Sequence, residues 1–295
     1  MPTIARVEMN LSWLIEKGNS RRTNPTLGLA AGRTTLHVLR YIALSVLATW
    51  CLGACKPNLV IGELLCKIGT PDGGPQPNEG ELVELPWSTS FEYGTCDYTR
   101  VSGFCFSTGP ASYQIVKSPV HSGEYAAAFT VTSAIDAGTD GQVRCVNQGV
   151  LPREAYYGAW IYIPSVATNK GNWNLFHFQG GVPPSSLEGL WDVSLENGEK
   201  GALNLQMYKT GHVPVGNAST TPIAQWFHLV FFLKRAKDKT GAVAMYLDGK
   251  LVVQLTNVIT DDTDWGQWYV GNLATDLSPL PSTIYVDDVT IRATL

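Results

Sequence analysis

Between Asn172 and Lys209 the chain alternates apolar and polar residues in three successive runs, NWNLFHFQG, LWDVSLENG and ALNLQMYK. A period of two is the signature of a strand with one buried face. In the first run Leu175, His177 and Gln179 share one face, and Phe176 and Phe178 take the other. In the second, Asp192, Ser194 and Glu196 oppose Trp191, Val193 and Leu195; in the third, Asn204, Gln206 and Tyr208 oppose Leu203, Leu205 and Met207. As neighbours, these strands would pool their polar faces into one patch with few formal charges. A set of His, Gln, Asp, Ser, Asn and Tyr suits a ligand made of hydroxyls and ring faces, and the patch is read as a saccharide-binding surface.

The same signal recurs from Trp87 to the end. It predicts strands at Trp87–Glu92, Tyr113–Val116, Ala126–Val131, Gln142–Gln148, Ala155–Ile163, Asn174–Gln179, Trp191–Glu196 and Ala202–Lys209. Further strands are expected at Trp226–Lys234, Val243–Leu247, Lys250–Leu255, Trp268–Gly271 and Thr283–Ile291. Leu247-Asp248-Gly249-Lys250 is a hairpin turn, because Asp-Gly supplies the positive φ angles that a tight turn needs, and Asn197-Gly198 marks a second turn. Pro164, Pro183, Pro184, Pro214, Pro222, Pro279 and Pro281 all fall between these strands. No segment keeps helical periodicity over three turns. The expected fold is all-β, a single jelly-roll β-sandwich, with Leu229, Phe231, Leu233, Phe176 and Phe178 in its core.

Upstream of this body, Arg33 to Cys55 reads RTTLHVLRYIALSVLATWCLGAC, basic residues followed by an apolar run that closes on Leu52-Gly53-Ala54-Cys55. That is the layout of an export signal, and LGAC resembles the bacterial lipobox, in which the peptide is cut before the Cys and the Cys takes the lipid. Residues 1–54 are therefore expected to be an N-terminal extension and lipoprotein signal, with translation starting later than Met1. Residues 55–85, rich in Pro, Gly and Glu, read as a flexible tether, and residues 86–295 as the folded domain. The expected product is an exported, membrane-anchored monomer with a lipid on Cys55.

Charge narrows the function classes. Of the chain's 21 basic and 25 acidic residues, six basic and two acidic lie in residues 1–54, which leaves the rest acidic by eight. An acidic body argues against nucleic acid as partner, which rewards clustered Lys and Arg, and against a highly sulfated polymer. With Cys55 lipidated and Cys51 removed, Cys66, Cys96, Cys105 and Cys145 remain, an even number that fits two disulfides in an exported chain. Three connectivities are possible. Cys96 with Cys105 is favoured because the segment between them could fold back as a short loop, with Cys66 to Cys145 as the second bridge.

The chain from about Leu85 to Ile291 resembles the concanavalin A-like jelly-roll polysaccharide lyases, the group that holds heparin lyase I and glucuronan lyase. The matching stretches occur in order: SFEYG (Ser90–Gly94), HSGEYAA (His121–Ala127), YYGAWIYIP (Tyr156–Pro164), NLFHFQG (Asn174–Gly180), WFHLVFFLK (Trp226–Lys234), TGAVAMYLDGKLV (Thr240–Val252) and IYVDDVTI (Ile284–Ile291). SFE, HSG and the terminal DDV also occur in jelly-roll carbohydrate-binding modules. The resemblance implies a structural Ca²⁺ ion held by Glu92, His121, Glu124, Asp287 and Asp288, away from the sugar site. Such an ion wants six to eight hard oxygens.

The resemblance further implies β-elimination beside a uronic acid carboxylate, which needs a group to neutralise the carboxylate, a base and an acid. The candidates are Gln179 with Arg144 for the carboxylate, His177 or Tyr208 for the proton, and Tyr208 to return one. The family supports His177 because a His on the concave sheet serves there; Tyr208 is carried by position and type. Asp192, Ser194, Asn204, Gln206 and Trp160 are the expected substrate-binding residues. Trp191, Trp265 and Trp268 are further candidates for ring stacking, His228 is expected in the core or at an edge, and His212 in a lid. The expected function is a surface-tethered lyase acting on a uronic-acid glycan. The alternatives are a non-catalytic carbohydrate-binding lipoprotein and a glycoside hydrolase. The nearest carboxylates for hydrolysis, Glu188, Asp192 and Glu196, depart from the Glu-x-Asp-x-x-Glu spacing of retaining glucanases.

Overall fold

The computed structural model describes residues 84–99, 103–132, 141–149, 151–180, 188–261, 263 and 265–295. The expected export signal, Cys55, Cys66 and the expected tether up to residue 83 lie outside the described residues. Within them the chain is almost entirely strand: β1 Trp87–Thr89, β2 Phe104–Thr108, β3 Ala111–Val116, β4 Ala126–Val131, β5 Gly141–Gly149, β6 Glu154–Tyr162, β7 Trp173–Gly180 and β8 Glu188–Asn197. Then come β9 Leu203–Lys209, β10 Val213–Thr220, β11 Trp226–Lys234, β12 Gly241–Leu247, β13 Lys250–Val258, β14 Gly266–Ala274 and β15 Ser282–Arg292. A single helical turn, α1, spans Cys96–Thr99.

The strands form two antiparallel sheets. One has the order β13-β12-β11-β6-β15-β4-β3, with β1 added on β15; the other has the order β10-β9-β8-β7-β14-β5-β2. Alternation turns one face of each sheet inward. Phe176, Phe178, Trp191, Val193, Leu205, Met207 and Trp268 of the seven-stranded sheet meet Tyr157, Ile161, Phe227, Leu229, Phe231 and Leu233 of the other, and all are buried. The five residues expected in the core are there. Trp268 sits edge-on to Phe176 at 5.3 Å and to Tyr157 at 5.1 Å, which interlocks the two layers. Asn272 makes the polar link between the layers: it accepts from Trp173 Nε1 at 3.0 Å and donates to the carbonyls of Phe129 and Ser282 on the facing sheet. A buried amide satisfied on both sides in this way fixes register without an unmet polar atom.

Two strands lie outside the sequence expectation, β2 and β10, and both are edge strands. FCFST is too short to alternate visibly, and VPVGNAST carries Pro214 and Gly216. Pro214, expected between strands, pairs with Tyr208 in β10. An edge strand tolerates proline because one side has no ladder to complete. The Asp248-Gly249 hairpin has the positive φ angles expected of it, 49° and 74°. The connection after Asn197 is longer than a tight turn, and its positive φ angles fall on Lys200 and Gly201 instead.

The disulfide expectation is corrected. Cys105 on β2 bonds Cys145 on β5, directly opposite it in the register, with Cα atoms 4.0 Å apart. Cys96 is disulfide-bonded as well. Strand pairing, which brings partners together across the sheet, decides the bridge, whereas the short-loop argument considered only distance along the chain. The Cys105–Cys145 bridge spans a sequence separation of 40. On loop-closure entropy, replacing both cysteines with Ser should lower the unfolding free energy by roughly 4 kcal/mol. Urea titration reads this directly, and an unchanged midpoint would contradict it.

Candidate active site

The outward face of the seven-stranded sheet carries the polar residues. One register row crosses it from strand to strand: Tyr269 of β14 lies opposite His177 of β7, His177 opposite Asp192 of β8, and Asp192 opposite Tyr208 of β9. Because residues directly opposite in an antiparallel pair sit within about 5.5 Å, four functional side chains converge with no loop needed to position them.

β7 is irregular beside this row. Its register with β8 slips between Asn174 and Phe176, so the extra residue, Leu175, is turned into the core and is fully buried. The expectation that Leu175 shares the face of His177 and Gln179 is corrected by this bulge. The bulge also brings Asn174 to the His177 side, where its amide donates to Asp192 Oδ1 at 2.8 Å. His177 Nδ1 bonds the same carboxylate oxygen. A carboxylate only accepts, so Nδ1 carries the hydrogen and Nε2 is left as the basic nitrogen of the ring. Both side chains keep partial access to solvent, 17% for His177 and 20% for Asp192.

Tyr208 closes one end of the row. Its ring stacks on His212, the residue expected in a lid, at 4.0 Å and 7°. His212 holds a positive φ of 57° in the turn that leads into β10. Burial and a hydrogen bond to Glu196 push the Tyr208 phenol well above its ordinary value, so the hydroxyl is protonated throughout the physiological range. At the other end, the Arg144 guanidinium lies 4.4 Å from the Tyr269 ring centre, and that ring is 5.6 Å from His177. Burial raises the Tyr269 phenol and Arg144 opposes the rise. The Tyr269 hydroxyl donates to Gln267 at 2.6 Å, Gln267 donates to Gln148 at 2.9 Å, and Gln267 is the register partner of Gln179. Arg144 itself is held by Gln142 and is only 8% exposed. The arrangement therefore places a cation, an imidazole base backed by a carboxylate and a protonated phenol on one sheet face, with His177 and Asp192 the more accessible members and Arg144, Tyr208 and Tyr269 each 8% exposed.

A profile of the family described as "Polysaccharide lyase" matches residues 91–290, most of the chain and the whole of this site. The chain belongs to that family. A search of curated proteins returns no match. Among solved structures it is similar to the endo-β-1,4-glucuronan lyase from the fungus Trichoderma reesei, with 18% identity, 65% of this chain and 90% of that chain covered, and a TM-score of 0.52. It is also similar to the cellulose-induced protein Cip1, with 13% identity, coverage of 70% and 97%, and a TM-score of 0.49. An alginate lyase from a Chlorella virus aligns at 12% identity, coverage of 61% and 90%, and a TM-score of 0.42. At 18% identity the glucuronan lyase structure speaks for the fold alone.

Not every residue expected at the lyase site is there. Ser194 is fully buried. Gln206 spends its amide on the carbonyls of Met207 and Val215, which fastens the edge strand β10. Asn204 stays half-buried on the site face opposite Glu196. Trp160 is on β6, in the other sheet, with its ring stacked between His121 at 3.7 Å and His228 at 5.1 Å. Strand parity cannot tell which of two sheets a strand joins, and that is why Trp160 was misplaced. Trp191, Trp265 and Trp268 are buried. Asn174, Gln267 and Tyr269 are site-face residues that sequence reasoning missed; the alternation of Gln267 and Tyr269 with buried Trp268 pointed to those two, and nothing in the alternation of β7 pointed to Asn174.

The five residues expected to hold calcium do come together, as a hydrogen-bonded clasp. Asp287 Oδ2 accepts from the backbone amides of His121 and Ser122 at 3.0 and 3.1 Å, and Oδ1 accepts from that of Asp288. Asp288 takes His121 Nδ1 at 2.6 Å and the Ser122 hydroxyl at 2.9 Å. Glu92 Oε1 accepts the amides of Glu124 and Tyr125, and Glu124 also pairs with Lys117 at the surface. Among the described residues no three His, Cys, Asp or Glu side chains form a group able to hold a metal ion. N–H and O–H donors face Asp287, Asp288 and one oxygen of Glu92, and no step is assigned to calcium.

Proposed function

We propose that this polysaccharide lyase cleaves a uronic-acid-containing glycan by β-elimination across the row from Arg144 to Tyr208. The observation that carries this reading is the bond from His177 Nδ1 to Asp192. A carboxylate behind an imidazole fixes its tautomer and orients it, leaving the far nitrogen with its lone pair free. His177 Nε2 takes the proton beside the uronate carboxylate. Arg144 and Gln179 stabilise the charge that develops on that carboxylate. The electron pair forms a double bond as the glycosidic C–O bond breaks, and Tyr208 gives its proton to the departing oxygen. Water then restores the Tyr208 proton as His177 loses the one it took.

Asp192 is engaged with His177, and the influence of Glu196 falls on the Tyr208 phenol, whose ionisation it opposes. That favours elimination over the paired-carboxylate chemistry of hydrolysis. The test is a panel of alginate, glucuronan, heparin, hyaluronan and pectate, followed by the ultraviolet absorbance of the unsaturated product. Glucuronan or another polymer of weakly spaced carboxylates should respond, and heparin should not, given the acidic body. Silence on the whole panel together with retained binding in an affinity gel would favour a carbohydrate-binding role instead.

The proposal includes export and a lipid tether, which rest on the sequence Leu52-Gly53-Ala54-Cys55. In a bacterial host, labelled palmitate should enter the protein and be lost in Cys55→Ser. Equal labelling of both would remove the tether.

A further inference from the structure

The aromatic residues of β2 have no part in the chemistry above. Cys105 is turned inward by its disulfide to Cys145, so its neighbours Phe104 and Phe106 stand on the opposite face of the sheet, the one that carries His177. Phe104 is 43% exposed on an edge strand, where a large apolar side chain gains little from burial. It is not isolated. Its ring is 5.6 Å from Phe106, Phe106 is 6.2 Å from Tyr269, and Tyr269 is 5.6 Å from His177. Phe104 also pairs with Val146, which pairs with Tyr269, so it lies in the same register row as His177 and Tyr208. Scattered exposed aromatics are ordinary on a protein surface; a continuous line of rings from a sheet edge to a candidate base is a track.

We propose that Phe104, supported by Phe106, is a distal subsite that stacks on the apolar face of a pyranose ring of the polymer substrate. The inference rests on the reading of the site as a glycan-cleaving one, and it adds the direction in which the chain lies: across the strands, from the β2 edge towards Tyr208. Strands are about 4.8 Å apart, and β2 is three strand steps from β7, so Phe104 stands about 14 Å from His177. A short oligosaccharide spans that distance. The benzyl ring offers its π face to the C–H groups of a sugar, and Arg144, 6.0 Å from the Phe106 ring centre, supplies a cation beside it for the uronate carboxylate.

The test compares the parent enzyme, Phe104→Ala and Phe104→Trp on long polymer and on oligomers too short to reach β2. Binding is measured in parallel by affinity gel electrophoresis in a His177→Ala background. Phe104→Ala should raise KM for the polymer about tenfold, which is about 1.4 kcal/mol. kcat should stay within threefold and short oligomers should be processed as by the parent. Phe104→Trp should restore or lower KM. A folded Phe104→Ala enzyme with parental KM and parental gel retardation overturns the subsite and leaves the lyase reading intact. If no polymer is cleaved but gel retardation is present and lost on Phe104→Ala, the subsite stands and the lyase reading falls. Absence of both cleavage and retardation by the parent overturns both.

Discussion

Replacing His177 with Ala should lower kcat by about 10³-fold or more while the protein stays folded. General base catalysis by a positioned side chain is worth about 10²–10⁴, and here the base is held in the sheet by its bond to Asp192. His177, 17% exposed, lies on the outward side of a strand whose inward neighbours, Phe176 and Phe178, make the core contacts; stability should change little. Asp192→Asn is the sharper variant. It preserves shape but replaces the acceptor that holds Nδ1–H, so the imidazole can adopt the other tautomer and present N–H where a lone pair is needed. A loss of about 10²–10⁴-fold in kcat with KM nearly unchanged is expected, since an orientation effect on the base acts in the transition state. Steady-state kinetics on the responsive polymer, with circular dichroism as the folding control, check both. A parental kcat in either variant would remove His177 from the chemistry.

The second large effect concerns Tyr208. Tyr208→Phe removes the proton that the leaving oxygen requires and should also lower kcat by at least about 10²-fold. The pH dependence separates this role from simple ring stacking. An acid must be protonated to act, so the rate falls as pH rises through the pKa of the phenol. Burial first, then the hydrogen bond and charge of Glu196, hold that pKa above its ordinary value. The alkaline fall should therefore lie above pH ~10, the ordinary tyrosine value. In Glu196→Gln the negative charge is gone, ionisation of the phenol is less disfavoured, and the fall should move to lower pH. Burial remains, so the shift is partial. A pH–rate profile that is identical in parent and Glu196→Gln would mean that Tyr208 does not supply the proton.

Much of this site could be read from alternation alone. The faces of β8 and β9 follow a strict period of two, so Asp192, Glu196 and Tyr208 were placed by the sequence, and the merged polar patch follows once β7, β8 and β9 are neighbours. The departures have specific physical causes. A bulge inverts parity locally, so Leu175 went to the core and Asn174 came to the site; a bulge leaves no mark in a single sequence beyond one extra residue. Ser194 and Gln206 share the correct parity but are covered or committed to backbone carbonyls. Parity gives a side and says nothing about burial. Trp160 has the right chemistry on the wrong sheet, since sheet membership depends on long-range pairing. The same dependence explains why Cys105 found Cys145 across the β2–β5 ladder, and why β14, which brings Tyr269 between Arg144 and His177, drew attention only for its buried Trp268. The acidic pair in the middle of β15 lies beside the His121 turn and takes its amide donors, a pairing between distant segments that oxygen-rich residue types do not show.

The most direct test of elimination at the His177–Asp192–Tyr208 row is the mass of the products formed in water enriched in heavy oxygen. Elimination breaks the C–O bond without adding water, so the new non-reducing end should carry a double bond and no heavy oxygen, and His177→Ala should form no such end. A heavy oxygen at the cleaved linkage would mean hydrolysis and would contradict the account.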